Sequence, residues 1–344
     1  MSFPYFTPSS FLVRSRAMPL LRLCVLAVAL LLSHGMSQAA TKLNIGTVVW
    51  IGYGPFYVAE SKDFFKKYDL SVKLNVFADP ALIPPALAGG SIQGAMETYD
   101  QVIGQVAKGI SQKVVMPIDY SNGGDAIMAA NSITRVADLK GKKVGFNPLS
   151  PCEFLLSYAL KSNGLTANDI QAVSVTPEAV PAAMASGLLA GVTYEPSVSQ
   201  ILGQGGGKKF HVLYSSRQAP GLIADVLVFN DKYIASNPKQ IEGVIRAYLD
   251  GLAYMKSHPD ESAKIIGKFM GISAAEVKEQ LAGVYNIPLA EMMQAFEPGT
   301  KTTSYYTSGE IIATILKNKG QISQIPSTTD TIAPQFIKAI QAGK

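Results

Sequence analysis

The sequence has few of the residues on which many enzyme sites depend. Its 344 residues include two cysteines, three histidines and one tryptophan. No cysteine and histidine cluster has metal-site spacing, no G-x-S-x-G turn indicates a serine nucleophile, and the glycine run at 205–207 lacks the Ser or Thr of a phosphate loop. His211 opens a predicted strand without a partner, and His258 lies at a helix junction. We therefore expect no enzyme, no metal and no cofactor.

Long apolar runs are also scarce, and the one near the amino terminus is short. Three arginines precede the apolar residues 23–32, and the small residues Ser37, Gln38 and Ala39 follow them. A membrane span needs about 20 apolar residues, whereas this arrangement is typical of a secretory leader. The sequence predicts a signal peptide over residues 1–39, with Met18 as an alternative start.

The two cysteines do not form a disulfide in the expected mature chain. Cys24 lies in the leader without the small preceding residues of a lipoprotein site, so Cys152 is left alone. The leader contains three of the 30 Lys and Arg residues and none of the 25 Asp and Glu residues, so its removal lowers the formal charge from +5 to +2. Stability must come from packing, and no nucleic-acid partner is indicated.

Apolar strands and helices alternate along the chain in two series. The first series has strands near residues 42–49, 71–77, 94–97, 114–120 and 126–130, and the second near 144–146, 172–175, 191–194 and 211–215. A further strand near 225–230 precedes helices near 238–257, 260–269, 274–285, 309–317 and 333–342. This pattern predicts an α/β fold with two lobes joined by two hinge strands, with 41–130 and 226–344 in the first lobe and 131–225 in the second.

The turn between a short strand and a helix at 144–161 has two interpretations. Pro148 and Pro151 end the strand, so a helix should begin near Ser150 or Pro151. Its first backbone N–H groups would then face a ligand beyond the strand end. Alternatively, Ser150 and Glu153 form a capping box that only closes the helix.

Four segments in order carry a family resemblance. They are FYVAESKDFFKKYDLSVKL at 56–74, ALAGGSIQGAMET at 86–98, VADLKGKKVGF at 136–146 and TYEPS at 193–197. In these the chain resembles the nitrate/sulfonate/taurine-type (NMT1/THI5-like) solute-binding proteins of bacterial ABC importers, which include relatives that bind thiamine-precursor pyrimidines. The likeness covers nearly the whole mature chain.

The resemblance implies a type II periplasmic binding protein fold that closes on a small molecule. Such a protein is periplasmic, delivers its ligand to an ABC permease in the membrane and is expected to be a monomer. Yeast-type pyrimidine synthases look similar and use a histidine and pyridoxal phosphate, but this chain is poorly supplied with histidine. An enzyme of that kind is therefore the less favoured alternative.

Candidate ligand contacts follow from the predicted strand ends, which line the cleft in such folds. They are Trp50, Tyr53, Glu97, Thr98, Tyr99, Asp119, Ser121, Asp125, Ser150, Glu153 and Glu195. Asp225 also precedes a hinge strand, but we favour a role in bonding local turn amides for it. Trp50 and Tyr53 could form an aromatic platform or pack in the core.

The expected charge of the ligand follows from these side chains. Five of them are carboxylates, and Arg217 is the only nearby cation that the sequence places. Carboxylates held close together need a counter-charge or a proton. The sequence therefore favours a cationic or nitrogen-rich solute, such as an amine, a guanidinium compound or a pyrimidine. A taurine, alkanesulfonate or nitrate binder of the same family is the alternative.

Overall fold

The computed structural model describes residues 1–5, 7 and 40–343. The predicted signal peptide therefore lies mostly outside the described residues. Among the residues described, no helix combines the length and the apolar character needed to cross a membrane.

The first sheet has six strands in the order β11-β4-β10-β3-β1-β2. The strands β1 to β4 run parallel to one another, whereas β10 lies antiparallel between β3 and β4, and β11 is antiparallel at the edge beside β4. Their bounds are Thr41–Thr47 (β1), Leu70–Val76 (β2), Gly94–Thr98 (β3), Lys113–Ser121 (β4), Ala224–Phe229 (β10) and Val284–Asn286 (β11).

The second sheet has five strands in the order β7-β6-β8-β5-β9. Here β6, β7 and β8 are parallel, and β5 pairs antiparallel with both β8 and β9. The bounds are Asp125–Ala130 (β5), Lys143–Phe146 (β6), Gln171–Ser174 (β7), Ala190–Tyr194 (β8) and Phe210–Ser215 (β9). In each sheet one antiparallel strand comes directly after the chain has passed from the other sheet. This strand is β10 in the first sheet and β5 in the second.

Fourteen α-helices pack around these sheets in the described part of the chain. They are α1 Gly54–Ser61, α2 Ile83–Ala88, α3 Tyr99–Val106, α4 Pro151–Ser162, α5 Val180–Ala185, α6 Ser197–Gly203, α7 Asp231–Ser236, α8 Pro238–Ser257, α9 Pro259–Met270, α10 Ala274–Gln280, α11 Leu289–Phe296, α12 Tyr305–Asn318, α13 Thr328–Thr331 and α14 Gln335–Gln341. Several begin with proline, which lacks the N–H that a first helical residue leaves unpaired. The predicted α/β fold with two sheet-based lobes is confirmed.

Two short segments connect the sheets, at 122–124 and at 216–223. The hydroxyl groups of Ser121 and Ser216 join them at 2.7 Å, and Ser216 Oγ accepts the N–H of Gly123. The strand near residue 126, assigned to the first lobe from the sequence, instead pairs in the second sheet, because its apolar residues lie between β8 and β9. The strand near residue 226 joins the first sheet as expected.

Some predicted helices end early in the structure. From the apolar pattern after Pro55 we expect a helix to about residue 68, but α1 stops at Ser61, since Asp63 has a left-handed backbone with φ of 57°. The helix expected over 274–285 ends at Gln280, and its last residues form β11. Both errors are local, because the fully buried strands that position the site match their predicted places closely.

Candidate functional site

The carboxyl ends of the first-sheet strands β1 and β3 face the second lobe across one cavity. The space between its lining atoms amounts to about 350 Å³, including the part that is open to solvent. The first lobe supplies aromatic, apolar and acidic side chains, and the second lobe supplies Asp125, Pro151 and Tyr194. The remaining lining residues are Val48, Trp50, Tyr53, Pro80, Ile83, Met96, Glu97, Thr98, Gln101, Ile223 and Asp225. The cavity therefore lies between the lobes, where the fold places a ligand.

Three carboxyl groups line this cavity. Glu97, Asp125 and Asp225 are buried, with exposed fractions of 2%, 3% and 4%. Burial disfavours their charged forms, so it raises the pKa of Asp125 to about 7 and that of Glu97 to about 8. Among the described residues that line the cavity, none is lysine, arginine or histidine. The site thus holds acidic groups without a protein counter-charge.

Asp225 contributes directly to the cavity, and the turn interpretation of it is wrong. It lies in β10, opposite Asp119 of β4 and Thr98 of β3. Its Oδ1 accepts the Tyr53 hydroxyl at 2.5 Å. Burial and the neighbouring Asp119 charge raise the pKa of Asp225 well above its usual value. Asp225 therefore belongs to a carboxyl pair rather than to a turn.

Trp50 forms one wall of the cavity. Its Nε1 donates to Asp119 Oδ1 at 3.3 Å, and its ring meets Tyr194 of the other lobe edge-on at 5.9 Å between centroids. Gly124 of the connecting segment lies beneath the ring, where an added Cβ would approach Trp50 Cη2 to 2.5 Å. The ring orientation therefore depends on Asp119 and on the absence of a side chain at Gly124.

The donors that line the cavity are largely committed to protein acceptors. Tyr53 and Trp50 donate to aspartates, and Gln101 Nε2 donates to the Pro80 carbonyl. By contrast, Glu97 Oε2 and the Tyr194 hydroxyl are buried and have no hydrogen-bond partner among the residues described. A ligand that donates hydrogen bonds would satisfy Glu97, because Gln112 occupies only its other oxygen.

Five of the residues proposed from the sequence line the cavity together: Trp50, Tyr53, Glu97, Thr98 and Asp125. Asp119 lies directly behind them, fully buried. The structure thereby brings together the aromatic and acidic groups that the strand ends indicated, and their contact with a ligand stays a prediction.

Two other proposed residues support the walls instead. The Tyr99 hydroxyl bonds Thr331, and its ring packs on Tyr305 inside the first lobe. Ser121 Oγ accepts the Asp125 N–H and joins Ser216 at the crossing between lobes. Neither residue lines the cavity. The end of a strand predicts its location but not the direction of each side chain.

The helix α4 begins at Pro151 with Ser150 before it, as predicted, but the capping box does not form. Ser150 Oγ donates to the Asn147 carbonyl. Glu153 accepts the Leu149 N–H and receives Lys319 Nζ at 2.7 Å and Gln321 Nε2 at 2.8 Å from the first lobe. Ser150 and Glu153 line a second pocket beside the cavity rather than the cavity itself.

Glu195 caps the start of helix α6 and does not line the cavity. Its carboxylate accepts the N–H and the hydroxyl of Ser199 in the first turns of α6. The preceding residue, Tyr194, is the one that lines the cavity. Arg217 likewise stays outside, where its Nε donates to the Asn122 carbonyl. In this structure Glu195 therefore acts as a helix cap rather than as a lining residue of the cavity.

Several lining residues carried no signal in the sequence. Pro80, Ile83, Met96 and Ile223 are apolar and could not be told from core residues. Gln101 had a weak signal, since it stands three residues after Thr98 as the capping-box partner of α3.

Comparison with known proteins agrees with this geometry. Residues 50–262 match the family described as NMT1/THI5 like. A putative thiamine biosynthesis protein of Haemophilus influenzae is 28% identical over 210 residues, 60% of this chain and 65% of that protein. The taurine-binding periplasmic protein of Escherichia coli is 22% identical over 276 residues, 76% and 84% of the two chains.

The fold agrees with solved structures. The periplasmic aliphatic sulphonate binding protein of Escherichia coli matches with a TM-score of 0.68 and 23% identity, covering 85% of this chain and 92% of that chain. The family resemblance inferred from the four sequence segments is confirmed. This chain belongs to the NMT1/THI5-like family and has the two-lobed fold of the periplasmic binding proteins.

Proposed function

We propose that the protein is the solute-binding component of an ABC importer and that its solute is a small cationic or nitrogen-rich molecule. Amines, guanidinium compounds and substituted pyrimidines are the favoured classes. The observation that carries this proposal is the set of Glu97, Asp125 and Asp225, which line a cavity with no basic side chain among its described residues.

The free energy of the carboxyl groups explains the preferred charge. An unpaired buried carboxylate costs several kcal/mol, so an empty site keeps protons on these groups. A bound cation supplies the missing counter-charge, and each N–H of an amine or guanidinium group can donate to a carboxylate. Glu97 Oε2 lacks such a donor within the protein.

An aromatic wall suits the same ligand class. Trp50, Tyr53 and Tyr194 line the cavity, and the Trp50 ring carries the negative π face that attracts cations. A flat guanidinium or pyrimidine could also stack on this ring. The aromatic residues thus support the ligand class that the carboxyl groups indicate.

A sulfonate, taurine or nitrate ligand is the second candidate. The named taurine-binding and sulphonate-binding relatives favour it. An anion binds best where basic groups, hydroxyls or helix N-termini donate to it. In this cavity the donors of Trp50, Tyr53 and Gln101 already serve protein acceptors. We therefore rank the anion below the cation.

The lobes support capture and release rather than catalysis. The named relatives include binding proteins, and the cavity residues contain no histidine or cysteine to act as base or nucleophile. We propose that the ligand leaves unchanged, that it passes to a membrane permease and that the protein works as a monomer in the periplasm.

Calorimetry with two ligand groups tests this function. Methylguanidinium, butylammonium and 4-aminopyrimidine form the first group, and taurine, butanesulfonate and nitrate form the second. We expect binding within the first group only, and weaker binding in Glu97→Gln. The matched control is Glu178→Gln, an exposed carboxyl outside the cavity. Tight binding of an anion with no binding of the first group would overturn the cationic assignment.

A further inference from the structure

The carboxyl pair behind the cavity is unusual because one member lines the cavity and the other does not. Asp225 faces the cavity, whereas Asp119 is fully buried beneath Trp50. The two residues stand opposite each other on neighbouring antiparallel strands, and the Asp119 charge adds to burial in raising the pKa of Asp225. Two buried carboxylates held close together repel each other, so the pair keeps a proton in place of a counter-charge.

Among the residues that the structure describes, the surroundings of the pair offer no cation to replace that proton. The titratable groups that face it are Asp125 from β5 and tyrosines from α1, β8, α8, α12 and the turn after β1. These tyrosines are Tyr53, Tyr57, Tyr194, Tyr248 and Tyr305. Burial, and beyond it the nearby acidic charge, raises the pKa of each of them, so they are neutral.

The pair has further fixed contacts that determine its geometry. Tyr53 donates to Asp225, and Trp50 Nε1 donates to Asp119. Gly52 lies against Asp119, where an added Cβ would approach Oδ2 to 2.3 Å. One buried oxygen, Asp119 Oδ2, has no hydrogen-bond partner in the described part of the chain. A proton shared with Asp225 therefore neutralises the buried Asp119 carboxylate.

We propose that Asp119 is a positioning residue that holds one proton against Asp225, and that a cationic ligand expels this proton to solvent on binding. The proposal rests on the proposed function, since it requires a cation in the cavity. Charge balances, because one positive charge enters and one proton leaves. Asp119 also accepts the Trp50 N–H, so the same residue determines both the charge of the site and the orientation of the Trp50 ring.

The effect on binding is a dependence of affinity on pH. Below the pKa of the pair, each proton that binding releases makes the affinity rise about tenfold per pH unit. In Asp119→Asn the amide can still accept from Trp50 and can donate a permanent N–H to Asp225. This variant should release about one proton fewer, and its affinity should rise less steeply between about pH 5.5 and 7.

Calorimetry in two buffers of different ionisation enthalpy counts the protons released on binding of methylguanidinium and of butylammonium, which are both cations at neutral pH. We expect the wild type to release about one proton more than Asp119→Asn, and Glu178→Gln to match the wild type. An equal proton count in wild type and Asp119→Asn would overturn the inference while leaving cation binding intact.

Infrared difference spectra of the unliganded protein test the shared proton without a ligand. We expect a protonated-carboxyl carbonyl band near neutral pH that Asp119→Asn loses, while near-ultraviolet circular dichroism verifies that the variant folds. Absence of this band from the difference between wild type and variant would contradict the shared proton. If only anions bind, the proposed function is wrong, and this result is distinct from the absence of the infrared band.

Discussion

Asp125 reaches the cavity from the second lobe, so it should contact the ligand only when the lobes are closed. Its carboxyl group is buried, and burial raises its pKa to about 7. Asp125→Asn removes a charged hydrogen-bond acceptor, and such bonds contribute roughly 1.5 to 3 kcal/mol. We expect cation affinity at about pH 8 to fall about 10- to 100-fold in calorimetry. An unchanged affinity would exclude Asp125 from the contact.

Gly124 is a second residue with a local effect on the site. An added Cβ would meet the Trp50 ring at 2.5 Å and the Gly283 carbonyl at 3.1 Å. Gly124→Ala should therefore displace the ring and weaken cation binding at least several-fold. Gly141→Ala is a control for substitution itself, because a Cβ there has no neighbour, although its φ of 72° adds backbone strain. Equal binding by Gly124→Ala and wild type would contradict the wall assigned to Trp50.

At the level of elements, the beginning of α4 and the end of α12 are joined across the cleft. Glu153 and Lys319 form an ion pair with side-chain exposures of 16% and 19%. Burial raises the pKa of Glu153, but the Lys319, Leu149 and Gln321 contacts outweigh it and hold the pKa below its usual value. This pair joins the two lobes only while they are closed.

Loss of that ion pair should favour opening of the cleft. We expect Lys319→Met to weaken ligand affinity about three- to tenfold through faster dissociation, in line with a partly exposed ion pair. Lys317→Met, at an exposed position in the same helix, should leave the rate unchanged. Stopped-flow dissociation measures both variants, and equal rates in Lys319→Met and wild type would show that the pair does not hold the closed form.

The elements show which features the sequence could predict. The strands β3 and β4 and the polar residues at their ends follow from short apolar runs before Glu97 and after Val114. The partners of Glu153 do not, since Lys319 is 166 residues away in the chain. Asp225 was missed for the same reason, because β10 enters the first sheet between two strands that precede it by about a hundred residues. Local patterns predict strand ends, whereas strand order decides which ends meet.

For the whole molecule, the buried carboxyl groups predict how stability changes with pH. Burial raises the pKa of Asp119 and Asp125 to about 7 and of Glu97 to about 8. The folded chain therefore keeps protons that the unfolded chain has released near pH 4. Stability should fall by a few kcal/mol as pH rises from about 5 to 8.

Urea unfolding of the unliganded protein at several pH values measures this change. Asp125→Asn should reduce the fall, because the amide does not titrate. A saturating cation should also reduce the fall, since it stabilises the ionised carboxylates in the folded state. Stability that stays level or rises over this pH range would contradict the claim that the buried carboxyl groups are protonated and lack a counter-charge.

We propose that the two lobes close on a cation beside Trp50, the single tryptophan of the chain. The intrinsic fluorescence of Trp50 reports on this site directly, because the ring lines the cavity and touches both lobes. The decisive measurement is a fluorescence titration at about pH 8 with butylguanidinium and with butanesulfonate, which differ in the charge of the head group. We expect a saturable change with butylguanidinium and none with butanesulfonate, and the reverse result would contradict the binding of a cation.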